Sequence, residues 1–432
     1  MKVLIFGLGL NQGGVGSAQF FASRGAAVRI TDLKSKEILE PSINQLKKFP
    51  KISYTLGEHK NNDFDWADLI IKNPAIKPGN PYLQYAQAQH KTIETDMGIF
   101  LQYVKPNQII GITGTKGKST TSSLIYEVLK TAGKKVILAG NIGKSVLDAL
   151  PYITPDTLVV LEISSFQLEA YETHNVSPKW AVITNITPDH LNYYETMADY
   201  IKSKKIIGKY QKNDDSLFLK ENDLLVDNLK FLAGFKGHII RFSKNDLPTD
   251  FHPQLLGNHN LENIASALSV AKSFGIDEKK ALQTLSQFGG IPFRMELIKV
   301  WRGVKIYNDT AATSPEAGMK AIQTFPGSIL ICGGMNKKMD YKAYSDLVSK
   351  TVKKVFFLEG DSTEEIQKLL KDTSQTYNDL ERLLTNVKKV AKSGDTILFS
   401  PGATSFNLFQ NEFDRGRKFN TAVEKVFGGN TS

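Results

Sequence analysis

The stretch Gly111-Ile-Thr-Gly-Thr-Lys-Gly-Lys-Ser-Thr120 governs how the rest of the chain is read. The residues before it, Gln108-Ile-Ile110, read as a short buried strand. Those after it, Thr121-Ser-Ser-Leu-Ile-Tyr-Glu-Val-Leu-Lys130, carry the periodicity of a helix. Strand, glycine-rich turn, Lys-Ser and helix together make the context of a phosphate-binding loop. Gly114 and Gly117 let backbone N–H groups converge on an anion, and the helix N-terminus adds a favourable dipole. Lys118 supplies a point charge and Ser119 a hydroxyl for Mg²⁺. The spacing is shorter than the common one, because isoleucine stands at position 112 where a first glycine would fall. The expectation is a nucleoside triphosphate held at Gly114, Thr115, Gly117, Lys118, Ser119 and Thr120. A plain turn between strand and helix is the competing reading. The lysine, the hydroxyl and both flanking elements speak against it.

Working outward, 432 residues suffice for two to four domains with sizeable cores. A hydrophobic fraction of 41% and a charged fraction of 23% are ordinary for a globular chain. No apolar run is long enough to cross a bilayer. Met1-Lys-Val-Leu-Ile-Phe6 runs directly into glycines and does not read as a signal peptide. A single cysteine, Cys332, excludes an internal disulfide framework and fits a reducing cytoplasm. Within Ser328-Ile-Leu-Ile-Cys-Gly333 it reads as a small buried hydrophobe on a strand. The net charge of +10 suits an anionic partner. The basic residues are spread out, however, with no arginine-rich stripe interleaved with aromatics. Phosphorylated small molecules are therefore expected rather than nucleic acid or membrane, on a cytoplasmic monomer.

Three blocks of alternating strand and helix are visible. The first has strands at 2–6, 27–31, 67–71 and 91–93, a helix near 15–23, and a linker near 104–107. The second opens with the phosphate loop and adds strands at 135–138, 157–163 and 181–184. Helices near 261–273 and 278–287 close it, and Gly289-Gly-Ile-Pro292 forms a second linker. The third starts with a hairpin, 295–300 with 305–307, followed by strands at 328–332, 354–358 and 396–400. The fold class is α/β with three domains: 1–105 Rossmann-like, 106–292 a central P-loop ATPase-like parallel sheet, and 293–432 Rossmann-like. In the first block Gly7-Leu-Gly9 is followed by Gln12 where a dinucleotide fingerprint has glycine. Asp32 ends the second strand, where a carboxylate can grip a ribose or base. Taken alone, this turn fits a nucleotide site or plain helix–strand packing.

Other polar groups stand at strand ends, where open α/β sheets place ligands. Glu162, in Leu161-Glu-Ile-Ser-Ser-Phe-Gln167, could complete the shell of a Mg²⁺ on Ser119. His190 closes Asn185-Ile-Thr-Pro-Asp-His190, and Lys204 follows fourteen residues later. An ammonium repels a cation, so locally a structural histidine and a solvated helix lysine are favoured. Asn141 lies in Gly140-Asn-Ile-Gly143. Asn260 and Asn263 are three apart on one helix face. Arg294 could reach a transferring phosphoryl group.

In order and spacing these motifs, with Asn308-Asp309, Cys332-Gly-Gly334, Ser400-Pro-Gly-Ala-Thr-Ser405 and Arg415-Gly416, resemble the Mur ligase family over nearly the whole chain. The nearest likeness is to the members that add D-glutamate to UDP-N-acetylmuramoyl-L-alanine. The resemblance implies an ATP-dependent, ADP-forming amide ligase that works through an acyl phosphate. It implies catalytic roles for Lys118, His190, Lys204 and Arg294. Ser119 and Glu162 would hold one Mg²⁺, and His190 with a carbamoylated Lys204 a second. ATP would meet Asn260, Asn263, Arg294 and Asp309 besides the loop. The UDP substrate would meet Asp32 and Asn141. D-Glutamate would meet Thr313, Lys337, Ser405 and Phe413. The chain departs from the family pattern at Ala311, where a lysine is usual, in Gly333-Gly-Met-Asn-Lys337, and at Phe413, one position late. Relatives with another acceptor, such as folylpolyglutamate synthetases, and a nucleotide-binding regulator remain alternatives.

Overall fold

A computed structural model describes residues 1–10, 13–140, 145–187, 193–223, 232–255, 257–336, 339–405, 408–409 and 411–428. Three sheets follow one another along the chain. The first contains β1 (Lys2–Phe6), β2 (Ala27–Asp32), β3 (Ser53–Leu56), β4 (Leu69–Lys72) and β5 (Thr92–Glu94). Their order is β3-β2-β1-β4-β5, and every pairing is parallel. The second contains β6 (Ile109–Thr113), β7 (Val136–Gly140), β8 (Leu158–Glu162), β9 (Trp180–Ile183), β10 (Ser216–Lys220) and β11 (His238–Phe242). It is also wholly parallel, ordered β11-β10-β9-β6-β8-β7. The third contains β12 (Glu296–Trp301), β13 (Val304–Asn308), β14 (Ile329–Cys332), β15 (Lys354–Leu358), β16 (Thr376–Tyr377) and β17 (Thr396–Phe399). Its order is β12-β13-β17-β14-β15-β16, with the one antiparallel pair at the β12–β13 hairpin.

The strand β6 shows why a continuous apolar run was needed. All five of its residues are buried, as in a parallel sheet covered on both faces. Ile110 and Ile112 point into a core with Leu124, Val128, Ile264 and Leu268, which come from the helices Lys118–Thr131 and Asn258–Ser273. Ile109 points the other way, into a core that also holds Val3, Ile5, Val28 and Phe100 of the first block. Because the first two sheets share that core, residues Met1–Phe288 form one compact unit and Gly289–Ser432 a second. Val104, in the stretch that reads as a linker, is buried in the same core.

The β3, β10, β11 and β16 strands do not stand out in the sequence. Three of them are sheet edges, and β3 has no buried residue, so alternation and apolar content are weak there. Cys332 is buried on β14, and burial pushes its thiol up to about 12. Among the described residues no helix is long and apolar enough to cross a membrane.

Candidate active site

The phosphate loop begins where β6 ends. Gly114 takes φ +145° and Gly117 φ +84°, conformations that L side chains seldom adopt. A side chain at Gly114 would also collide with Thr184 Oγ1, and one at Gly117 with Asn263 Oδ1. Lys118 opens the helix, whose first turn offers N–H groups with no intrahelical acceptor. The segment after β9 holds the loop in shape. Thr115 N–H donates to Asn185 O at 2.9 Å, and Lys116 N–H donates to Asn185 Oδ1 at 3.1 Å. The Asn185 amide and the Thr184 hydroxyl both donate to Lys116 O, at 2.9 and 2.6 Å. Lys118 Nζ donates to Gly114 O and Thr115 O, both at 3.0 Å. These contacts give a cradle of donors and one ammonium, fit for a chain of phosphates.

Lys204 overturns the local expectation of a solvated lysine. It lies on the helix Met197–Lys209 and is only 1% exposed. Its Nζ donates to Thr113 Oγ1 at 3.1 Å and to Gly114 O at 3.0 Å. The reason is the helix face. Tyr200, one turn earlier, is buried with its hydroxyl 3.1 Å from Thr115 Oγ1, and Ile207 is buried one turn later. That face packs on the sheet and carries Lys204 inward. His190, Asn141 and Lys337 lie outside the described residues.

Glu162 is buried at the end of β8, paired in register with Ile112 of β6. Ser119 is half-buried in the first turn of the loop helix. Hydroxyl and carboxylate oxygens at neighbouring strand and helix ends suit Mg²⁺, which prefers a few protein oxygens plus substrate phosphates. Among the described residues no group of three His, Cys, Asp or Glu side chains is gathered. Asn260 and Asn263 are both buried, and Asn263 Nδ2 donates to Asn260 Oδ1 at 2.9 Å. Thr121 Oγ1 donates to Asn263 Oδ1 at 3.2 Å, which sets the pair against the loop helix.

In the first sheet Asp32 shapes the glycine turn. Its carboxylate accepts Gly9 N–H and Lys34 N–H, each at 2.9 Å. At the β1/β4 switch point lies a small crevice lined by Gly7, Gly13, Gly14, Lys72, Asn73 and Asp96 among others. Neither Lys72 nor Asp96 stands out in the sequence.

The second unit carries the remaining expected residues. Arg294 is exposed between Phe293 (φ +67°) and Met295 (φ +45°), two non-glycine residues in left-handed conformation. Such strain persists only where surroundings enforce it. Here Phe293 N–H donates to Glu296 Oε2 at 2.8 Å, and Met295 N–H to Asp309 Oδ1 at 3.1 Å. Asp309 is buried and also accepts from Ser400 Oγ at 2.7 Å. Burial pushes its carboxyl up to about 7, against the hydrogen bonds from Ser400 and Met295 and the charges of Arg294 and Arg415. Phe413 meets Phe293 edge to face at 6.2 Å, so it stands beside the Arg294 turn. Thr313 is half-buried just before the helix Pro315–Thr324. Ser405 is buried, and its Oγ has no hydrogen-bond partner among the described residues. The residue before it, Thr404, pairs with Met335 through backbone bonds of 3.0 and 3.1 Å.

Arg415 matters more than its place in a motif suggests. Its guanidinium is fully buried and donates to Thr310 Oγ1 at 2.8 Å, Thr310 O at 2.8 Å and Ala403 O at 3.0 Å. It thereby ties the loop after β13 to the loop after β17. Desolvation pulls its pKa down to about 9. A helix arginine set among Glu412, Asp414, Arg417 and Lys418 reads as a surface residue and gives no sign of this burial.

Comparison with known proteins agrees with this geometry. A Mur ligase MurD-like N-terminal domain matches residues 1–95, a Mur ligase middle domain 112–253, and a Mur ligase glutamate ligase domain 293–402. The UDP-N-acetylmuramoylalanine–D-glutamate ligase of Roseiflexus sp. (strain RS-1) is 36% identical, with 98% of each chain covered. The enzyme of the same name from Borreliella burgdorferi (strain ATCC 35210) is also 36% identical, over 99% of this chain and 98% of its own. Among solved structures, the UDP-N-acetylmuramate–alanine ligase of Thermotoga maritima shares the fold with a TM-score of 0.57 at 20% identity, covering 98% and 99% of the two chains. A bifunctional folylpolyglutamate synthase/dihydrofolate synthase of Yersinia pestis shares it at 0.51 and 17%, over 76% of this chain and 92% of its own.

Proposed function

The chain belongs to the Mur ligase family, and from that premise we propose that it joins D-glutamate to UDP-N-acetylmuramoyl-L-alanine at the expense of ATP. The observation that carries this reading is the full-length likeness, at 36% identity, to ligases named for that reaction. The latched phosphate loop with Lys204 buried on it supports the ATP half.

The substrate carboxylate attacks the γ-phosphate to give an acyl phosphate and ADP. The amine of D-glutamate then attacks the acyl carbon, and inorganic phosphate leaves. The protein's tasks are positioning and charge neutralisation. Gly114, Thr115, Gly117, Lys118, Ser119 and Thr120 cradle the phosphates, and Asn260 and Asn263 border the nucleotide. Arg294 neutralises the transferring phosphoryl group and Asp309 receives the ribose. Asp32 and Asn141 serve the UDP substrate. Thr313, Lys337, Ser405 and Phe413 serve the amino acid. Bound Mg²⁺ would supply neutralising charge on the phosphates, held at one position by Ser119 and Glu162. His190 and Lys204 would hold a second ion if Lys204 were carbamoylated, since that modification turns a repelling ammonium into an anion. The enzyme works in the cytoplasm as a monomer on small molecules, without nucleic acid or membrane.

The test offers purified protein ATP, Mg²⁺ and UDP-N-acetylmuramoyl-L-alanine with a panel of D- and L-amino acids. Phosphate release and product mass are scored. D-Glutamate should be preferred. A preference for L-glutamate, or for a neutral or basic amino acid, would assign the chain to a different acceptor within the family.

A further inference from the structure

We propose that Glu296 is a positioning residue for the reaction: it holds the strained turn that presents Arg294, and it does so as an oxygen acceptor rather than as a charge. The proposal rests on the reading above that Arg294 acts on the transferring phosphoryl group. Arg294 is exposed, and the residues on either side of it, Phe293 and Met295, both have positive φ without being glycine. Residues in that region relax unless their surroundings forbid it. The turn is therefore not what its own three residues prefer. Contacts within residues 289–432 impose it. Phe293 N–H donates to Glu296 Oε2 at 2.8 Å, and Phe293 O accepts Ala311 N–H at 3.0 Å. Met295 N–H donates to Asp309 Oδ1 at 3.1 Å. The Phe293 ring lies against Gly416, where an added Cβ would stand 2.5 Å from Phe293 Cδ1.

Glu296 differs from the other holds. It opens β12 and pairs with Asn308 of β13, so the hairpin fixes its backbone. Its side chain then turns back three residues to Phe293 and ties the turn to the sheet edge. Asp309 is shared with Ser400, and Ala311 contributes main chain. Glu296 is half-buried, and burial raises its carboxyl. The bond to Phe293 needs one oxygen lone pair, which a glutamine amide also offers. A guanidinium helps a phosphoryl transfer most when it is aimed before the reaction, because no reorganisation is then needed as charge develops. Loss of the aim should therefore appear in kcat and not in the KM of either small substrate.

The experiment measures kcat and the KM for ATP and D-glutamate in full-length Arg294→Ala, Glu296→Ala, Glu296→Gln and the Arg294→Ala/Glu296→Ala double variant. Glu296→Ala should lose about tenfold in kcat, the population shift expected when a left-handed residue loses its hold. Both KM values should change little, and Glu296→Gln should keep most of kcat. The double variant should lose no more than Arg294→Ala, because a turn without its guanidinium has nothing left to aim. Trypsin cleavage after Arg294, located by mass, should be faster in Glu296→Ala than in the unaltered protein or in Glu296→Gln. If Glu296→Ala does not fold, Gly416→Ala takes its place. It presses on Phe293 from the other side with Glu296 intact, so kcat should fall, again without adding to Arg294→Ala. Unchanged kcat in Glu296→Ala, equal losses in the alanine and glutamine variants, or losses that multiply in the double variant overturn the proposal. Full turnover in Arg294→Ala overturns the role of Arg294 on which it rests. Failure of the unaltered protein to ligate overturns the assigned reaction instead, and the trypsin comparison still tests the hold.

Discussion

The phosphate loop of residues 1–288 and the loops after β13 and β17 in residues 289–432 are both built at strand ends, but from different materials. The first is main chain. Glycines with positive φ turn it, and Thr184, Asn185 and Thr187 fix it through backbone and short side-chain bonds. The second is organised around buried ionisable groups, with Asp309 under the Arg294 turn and Arg415 between the two loops. A main-chain cradle presents fixed donors whatever the pH. A cradle of buried charges depends on each charge keeping its partners. The loop should therefore fail by loss of chemistry, and the second unit by loss of shape.

Substitutions can break that contrast. Lys118→Ala should cut kcat by at least ~10²–10³ with the circular dichroism spectrum intact, since it removes transition-state charge and leaves the main-chain cradle. Near-normal turnover would mean that Lys118 does not act on the phosphates. Lys204→Ala should be nearly as inactive. If carbamoylation is the reason, acetate should partly restore activity and unaltered protein should show the carbamate by intact mass. No rescue and no adduct would leave Lys204 as an unmodified ammonium, donating as it does to Thr113 and Gly114. Lys337→Met should raise the KM for D-glutamate well beyond that for ATP, by up to the ~2–5 kcal/mol that a bound carboxylate loses with its charged partner. Equal changes in both constants would place Lys337 outside the acceptor site.

The remaining tests concern shape. Arg415→Met leaves Thr310 O and Ala403 O without their donor, so the second unit should lose about 1–3 kcal/mol or more. Urea unfolding should register this as an earlier transition of that unit. An unchanged midpoint would show that the loops hold without the guanidinium. A further effect is on pH. A buried Asp309 with its pKa near 7 binds a proton between about pH 4 and 7 that the unfolded chain releases. Stability of the second unit should thus fall as pH rises through that window. Glu296, also raised by burial, adds in the same direction. Asp309→Asn should flatten the profile, and a variant that keeps the full slope would assign it to other groups.

Much of the first unit's site was legible because the physics was in the spacing. Gly114 and Gly117 mark positions where only glycine fits, and Asn260 and Asn263 sit three apart and do meet on one helix face. Lys204 was legible only as a resemblance, because its local sequence, Lys202-Ser-Lys-Lys205, looks solvated. Burial of Tyr200 and Ile207 on the same face decides otherwise. Lys72 and Arg415 gave no local signal at all. A lysine at a strand end and an arginine in a helix are ordinary on a surface, and only packing from distant segments removes their water.

The sequence by itself determined the α/β order of the chain, the hairpin that opens the third sheet, the phosphate loop and the family. Each of these is set by short-range periodicity, by glycine where positive φ is required, or by motif order. Tertiary structure alone decided that the first two sheets share one core through Ile109 and Val104. It also decided which charges lie inside: Lys72 against Glu169, Lys204 against Gly114, Asp309 against Ser400, and Arg415 against Thr310 and Ala403. Burial depends on what packs from elsewhere in the chain. The energy of a charge is therefore fixed by neighbours that its own sequence window does not contain.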